Sequence, residues 1–338
     1  MIGLDRDDFP MNTSSQTIQK RLAQLVKEMP TLGMKQYPYS LKSVSDLPGE
    51  LQSPTLTALL ADQTIQTIIA IPPQIQNMRY YVPRQALLFN KTGVVHAKAS
   101  IWPDQEPQVT LIKGSSILYM KVRLLLLYGF LEVVAQEGHS PVRIEVEFNT
   151  VAWEMLSQPL HRLLQTSLPE AIAQADIRAN ALAAQKAMEA LSFKFNNGMR
   201  IYAFLPGEVL EELVFQPAVS RSWELWPFQF RKTFTADTVV SMTRNFVVAL
   251  QEEPGKWYGW ILTYIPRNKV IGMQSRPIGL YDEIAIQLGQ PGNSTEYKIP
   301  LGKDAIETWR GRWIQQGGQW QTLPIETANR YKMENSAG

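Results

Sequence analysis

Polar and apolar residues alternate strictly from Arg143 to Phe148 (Arg-Ile-Glu-Val-Glu-Phe), which predicts a strand with one apolar face and one charged face. The second half of the chain holds seven segments of related make, at residues 209–215, 237–243, 246–253, 259–266, 269–274, 282–288 and 296–301. They are rich in β-branched and aromatic residues and are separated by Gly, Pro and Asn, so each is read as a short strand. After the last of them the period changes. Ile306, Trp309 and Trp313 recur at helical spacing, as Trp153, Leu156, Leu160 and Leu163 do in the first half. Aromatic residues at that spacing are read as core rather than as a ligand box. Pro159 breaks a helix begun at Asn149, so a kink, or a restart with Ser157 as N-cap, is expected.

The segment Lys121 to Ala135 contains four consecutive leucines, but only eight uncharged residues separate Arg123 from Glu132. A bilayer crossing takes about 20. The segment also has a counterpart. Ile112 onward aligns without a gap to Ile265 onward, an offset of 153 that pairs Met120 with Met273, Arg123 with Arg276 and Tyr128 with Tyr281. Residues 60–72 match residues 205–217 at an offset of 145. Similarity at one long offset argues for two copies of one domain. Pro277, Ile278 and Gly279 replace three of the leucines in the second copy, and no helix tolerates that change. Residues 119–134 are therefore read as strand, turn and strand. The surplus leucines call for cover from a connecting helix, from the other domain or from a second chain.

Between the copies, Leu168 to Leu191 holds nine alanines behind a Ser167 cap candidate and Pro169, which predicts a connecting helix about 35 Å long at 1.5 Å per residue. One further helix is expected over Gln16 to Lys27. The boundaries that follow are an N-terminal extension at 1–52, a first domain at 53–165, a connecting helix at 166–198, a second domain at 199–316 and a tail at 317–338.

Composition narrows the functional classes. Lys and Arg number 33 against 31 Asp and Glu, too even a balance for a nucleic-acid partner. There is no cysteine, hence no disulfide framework and no thiolate metal site, and a cytoplasmic setting is expected. Three histidines leave little capacity for metal, and no metal or cofactor is expected. The opening residues carry acids and no apolar core of the secretory kind.

Seven strands followed by an amphipathic helix resemble the pleckstrin-homology-like fold, and the second copy is similar to its bacterial members. The wording that carries this is Leu205-Pro206-Gly207-Glu208 before the first strand, Met242-Thr243-Arg244-Asn245-Phe246 at a hairpin and Ile265-Pro266 before the middle strands. The first copy departs from it, with Leu60-Ala61-Asp62-Gln63, Asn90-Lys91-Thr92-Gly93 and Ile112-Lys113-Gly114. The resemblance implies a mainly β fold with helices (α+β), namely two tandem domains, each an antiparallel sheet of about seven strands with a C-terminal helix. It further implies binding or assembly without a shared catalytic site.

Chemistry is sparse. Gly114-Ser115-Ser116 is a turn rather than a hydrolase elbow. Gly302-Lys303-Asp304 starts a helix and lacks the glycine loop of a phosphate site. Glu145 and Glu147 share the solvent face of a strand, and His161 flanks an apolar stripe. The segment Arg221 to Lys232 stands out for two tryptophans, two phenylalanines and three basic residues. It joins the first two strands of the second copy, where the resemblance implies the mouth used by ligand-binding members. Its candidate ligand-binding residues are Arg221, Trp223, Trp226, Arg231 and Lys232, cations for an anion with aromatic anchors beside them. A hairpin packed against the body of the protein is the competing account. The reading that follows is a non-enzymatic interaction or assembly module with a protein partner or self-association. Peripheral binding to an anionic lipid or a peptide through Arg221 to Lys232 is the alternative, and a small-molecule carrier or enzyme using a cleft between domains is the third.

Overall fold

The computed structural model describes residues 17–25 (except 18 and 22), 37–76, 80–102, 104–138, 140–168, 185–225, 228–253 and 259–322. The chain is mainly β, with antiparallel sheets and a few helices, and divides into two compact units. The first comprises residues 1–115, 127–131 and 144–167, the second residues 116–126, 132–143 and 168–338.

In chain order the first unit brings β1 (Tyr39–Leu41), helix α1 (Pro54–Leu60), β2 (Ile65–Ile71), β3 (Gln74–Gln76), β4 (Tyr80–Val82), β5 (Gln85–Asn90), β6 (Gly93–Lys98) and β7 (Gln108–Lys113). Strands β1-β2-β5-β6-β7 form one antiparallel sheet, and β3 pairs with β4 as a separate ribbon. Helix α1 starts where Ser53 accepts the Leu56 amide at 3.1 Å, with Pro54 in its first turn. Its Leu56 and Leu60 lie on one face and join Leu47 and Leu51 over one side of the sheet, against Ile68, Ala86, Leu88, Val95 and Ala97. The alternate residues Ile69, Leu87, Phe89 and Val94 are buried as well, so both faces of this sheet are covered.

Three strands follow: β8 (Ile117–Leu125), β9 (Tyr128–Glu137) and β10 (Ser140–Asn149), and then helix α2 (Trp153–Gln165). The leucine run is thus strand, turn and strand, as its counterpart demanded. Leu124 is buried, whereas Leu126 and Leu127 form the turn at 68% and 67% exposure. Helix α2 runs unbroken through Pro159, so no restart occurs at Ser157, whose hydroxyl donates to Glu154 O at 3.1 Å. Burial of Leu156, Leu160, Leu163 and Leu164 offsets the hydrogen bond that proline removes.

The second unit continues with α3 (Phe193–Gly198), a π turn at Met199–Ala203, and strands β11 (Leu210–Gln216), β12 (Ser220–Leu225), β13 (Phe228–Thr233), β14 (Thr238–Thr243), β15 (Phe246–Glu252) and β16 (Gly259–Pro266). After these come β17 (Val270–Pro277), β18 (Asp282–Gln290), β19 (Asn293–Leu301), α4 (Lys303–Gln315) and β20 (Trp320–Thr322). All seven strands expected in this half are present. The expected tail begins with β20, which pairs in parallel with β17, while residues 323–338 and most of the expected connecting helix lie outside the described residues. A seven-stranded sheet runs β10-β9-β8-β16-β15-β14-β11, and a four-stranded one β19-β18-β17-β20. Strand β8 enters the larger sheet by pairing with β16, Leu124 opposite Trp260 and Val122 opposite Leu262.

Between these sheets lies a core of Val240, Met242, Val247, Ile284, Ile286 and Ile299, closed by Ile306, Trp309 and Trp313 of α4 and reached by Leu118 and Tyr119 of β8. The tryptophans are core, as their spacing predicted, with Trp309 fully buried. On the other side of the larger sheet, Phe195 of α3 stands edge-on to Phe215 and Trp260 at 5.3 and 5.2 Å. A Cβ at Gly198 would lie 3.0 Å from Leu250 and from Trp260, so a larger residue there would press on this layer. Tyr264 closes this layer by donating its hydroxyl to Tyr202 O.

The element bounds repeat. Strand β5 begins at 85 and β14 at 238, β6 at 93 and β15 at 246, and β10 at 140 and β19 at 293. The 3-10 turns at Gly114–Ser116 and Arg267–Lys269 keep the same interval of 153.

Candidate functional site

Strands β12 and β13 make a two-stranded ribbon between β11 and β14, just as β3 and β4 make one between β2 and β5. Its base is tied down: Val219 N donates to the buried Thr235 hydroxyl at 2.9 Å, and Phe234 N to Val219 O at 2.7 Å. Along the ribbon Arg221 stands opposite Lys232, Ser222 opposite Arg231 and Trp223 opposite Phe230. The register therefore pairs two of the expected cations, Arg221 and Lys232, both exposed, and sets Arg231 one position out of step. Lys232 Nζ lies 5.3 Å from the centre of the Phe234 ring. Trp226 lies outside the described residues.

A cavity of about 170 Å³ opens in the first unit between β2, the β5–β6 hairpin and the end of α2. Phe89, Pro159 and Leu163 give it a buried apolar floor, and Gln66, Thr67, Lys91 and Arg162 stand around it. Gln66 is the extra residue of a β-bulge, since Ile65 pairs with Asn90 and Thr67 with Phe89. The hairpin is fixed by Asn90, whose side-chain oxygen accepts Thr92 N at 2.8 Å while its amide donates to Gln63. In the second unit the Leu-Pro-Gly-Glu wording acts in the same place, Glu208 accepting Asn245 N at 3.1 Å and Asn245 Nδ2 at 2.6 Å.

A third polar centre is buried in the second unit. Glu132 accepts from the Tyr119 hydroxyl at 3.2 Å and faces Arg143 at 3.3 Å and Lys121 at 3.8 Å. The Tyr119 ring is 4.8 Å from that of Tyr297, whose hydroxyl meets Thr263 at 2.7 Å. Burial pushes both phenols up, Tyr297 to about 12, so they stay protonated at neutral pH, and Tyr119 donates to Glu132. With its cations seated, this carboxylate is a structural anchor for β8, β9 and β10. Its one sequence signal was a lone acid inside an apolar strand.

The remaining candidates are quieter. Burial, and then Lys98, lowers His96 to about 3, and its Nε2 lies 2.8 Å from Gln85 Oε1, a neutral core pair. Burial also lowers His161. Among the described residues no group of acids and histidines is placed to hold a metal ion, and no helix is long and apolar enough to cross a membrane. Sequence reasoning missed the cavity, because its lining comes from three separate segments and includes no motif. No family model matches the chain, and no match is found among curated proteins.

Proposed function

We propose that the chain is a non-enzymatic binding or assembly module made of two copies of a pleckstrin-homology-like fold, with the ribbon Arg221 to Lys232 as its contact element. The observation that carries this reading is the repeated plan: in both halves a ribbon is inserted between two neighbouring strands of a sheet, β2 and β5 or β11 and β14, and from residue 85 onward the elements recur at intervals of 150–154. With β1 and β20 set aside, each copy contributes four strands (β2, β5, β6, β7 or β11, β14, β15, β16), then three (β8–β10 or β17–β19) and a closing helix, α2 in one and α4 in the other. Such a ribbon offers paired exposed cations and two strand edges, both suited to recognising an acidic or extended partner.

The test is capture from native extract with the full chain and with Arg221→Glu/Lys232→Glu. A partner should be retained by the first and lost by the second, at unchanged melting temperature. An identical captured set removes the ribbon from the reading. Exposed Arg221 opposite Lys232 also favours the lipid alternative, which requires co-sedimentation with phosphatidylserine vesicles that the same variant abolishes. Superposing residues 85–165 on 238–318 in an experimental structure checks the two copies, and strands that fail to coincide sink them.

A further inference from the structure

The cavity of the first unit has a counterpart in the second, and there it is filled. This comparison rests on the two-copy reading, whereas the cavity and its lining do not. Gln66, Thr67, Gly114, Pro159 and Leu163 correspond to Glu211, Glu212, Arg267, Arg312 and Gln316. Arg267 Nη1 donates to Glu211 at 2.7 Å and to the carbonyls of Thr243 and Arg244 at 3.1 and 3.2 Å, and its Nη2 to Gln316 Oε1 at 2.7 Å. Arg312 Nη1 donates to Glu212 and to Leu213 O, both at 2.7 Å. Two guanidinium–carboxylate pairs plug the second copy.

The first copy lacks both sides of that plug. Glycine and proline stand at the positions of the arginines, and an amide and a hydroxyl at those of the carboxylates. What remains around the opening are Lys91 on the hairpin and Arg162 in the last turn of α2, neither with an ion-pair partner among the described residues, and no acid lines the cavity. Gln66, set outward by its bulge, and Thr67 add uncharged donors. The floor selects further. A hydrated inorganic ion gains nothing from Phe89, Pro159 and Leu163, while an acid with an apolar body gains from both parts. A volume of about 170 Å³ equals roughly six water molecules at about 30 Å³ each, which suits a small acid. Guanidinium matches a planar carboxylate in shape.

We propose that this cavity binds a small monocarboxylate with an apolar body, the carboxylate held by Lys91 and Arg162 and the body resting on Phe89, Pro159 and Leu163. The free acid and the C-terminal residue of a peptide share that chemistry.

Fluorine NMR of 4-fluorophenylacetate with the full chain tests it, with 4-fluorophenylacetamide as the neutral isostere. The acid should bind saturably and the amide at least tenfold more weakly, with acetate a poor competitor. Lys91→Gln/Arg162→Gln should weaken binding at least tenfold, while Lys91→Arg/Arg162→Lys stays within about threefold. Thr67→Glu, which restores a carboxylate of the plug, should abolish binding. Displacement by acetyl-Gly-Phe, but not by its amide, adds peptide termini to the ligands, and no displacement confines the site to free acids. Equal binding of acid and amide, equal competition by acetate, or full binding by the double glutamine variant overturns the proposal. Those outcomes leave the two copies standing, and copies that fail to superpose leave the cavity standing.

Discussion

Leu126 holds a backbone φ of 48°, the one non-glycine residue with positive φ among those described, and does so in the turn between β8 and β9. The counterpart position in the turn between β17 and β18 is Gly279, at φ 127°. A β-carbon in the left-handed region costs about 1–2 kcal/mol, which glycine avoids. The leucine recovers little of this by burial, being 68% exposed. Asparagine tolerates the same region and keeps the unfolded chain less free than glycine does. Leu126→Asn is expected to stabilise the protein by about 0.5–1 kcal/mol in urea denaturation. A loss of stability instead would show that the leucine covers apolar surface.

At the scale of elements, the pairing of β8 with β16 is secured by charge as well as by backbone. Arg123 of β8 donates Nε to Glu253 Oε2 at 2.6 Å, with a second bond from Nη2, and the Glu253 side chain is 7% exposed. Removing the cation strands a buried carboxylate, a loss of about 3 kcal/mol, whereas removing both partners costs far less. Arg123→Met should therefore lower stability by about that amount in chemical denaturation, and Arg123→Met/Glu253→Gln should recover at least half of it. Equal losses in the two variants would deny the pair its role. Local pattern made the strands legible: seven of seven in the second half, the turn after β8 and the buried Trp309 follow from periods of 2 and 3.6 and from Gly and Pro. Strand partners were not legible, since nothing in Ile117 to Leu125 marks β16 as its neighbour. The ribbon was visible as a cluster of residue types but not as two paired strands. The cavity left no trace, because Gln66, Lys91 and Arg162 meet only through tertiary structure.

At the scale of the whole molecule, the compact units do not follow the proposed repeat. Residues 116–126 and 132–143 belong to the second unit although their counterparts lie at 269–279 and 285–296. Its core includes Leu118, Tyr119 and Val134 alongside Val240, Ile286 and Trp309. Residues 168–338 alone therefore lack part of that core and expose the edge of β16. This fragment is expected to aggregate or to melt without cooperativity, and co-expression with residues 1–167 should restore a soluble complex. A monomeric, cooperatively melting fragment would show that β8 adds nothing essential.

The partnership of β8 with β16 also sets a clock on biosynthesis. From Leu125 to Gly259, the first opposed pair, the ribosome has 134 residues to add, about 7–27 s at 5–20 residues per second. Throughout that interval the edge of β8 that will face β16 stays unpaired, although β9 can take its other edge. Lys121 and Arg123 interrupt its apolar sequence, and charges so placed discourage pairing between neighbouring nascent chains on one message. Arg123 thus has two successive duties, gatekeeper while the chain is growing and ion-pair partner of Glu253 once it is complete.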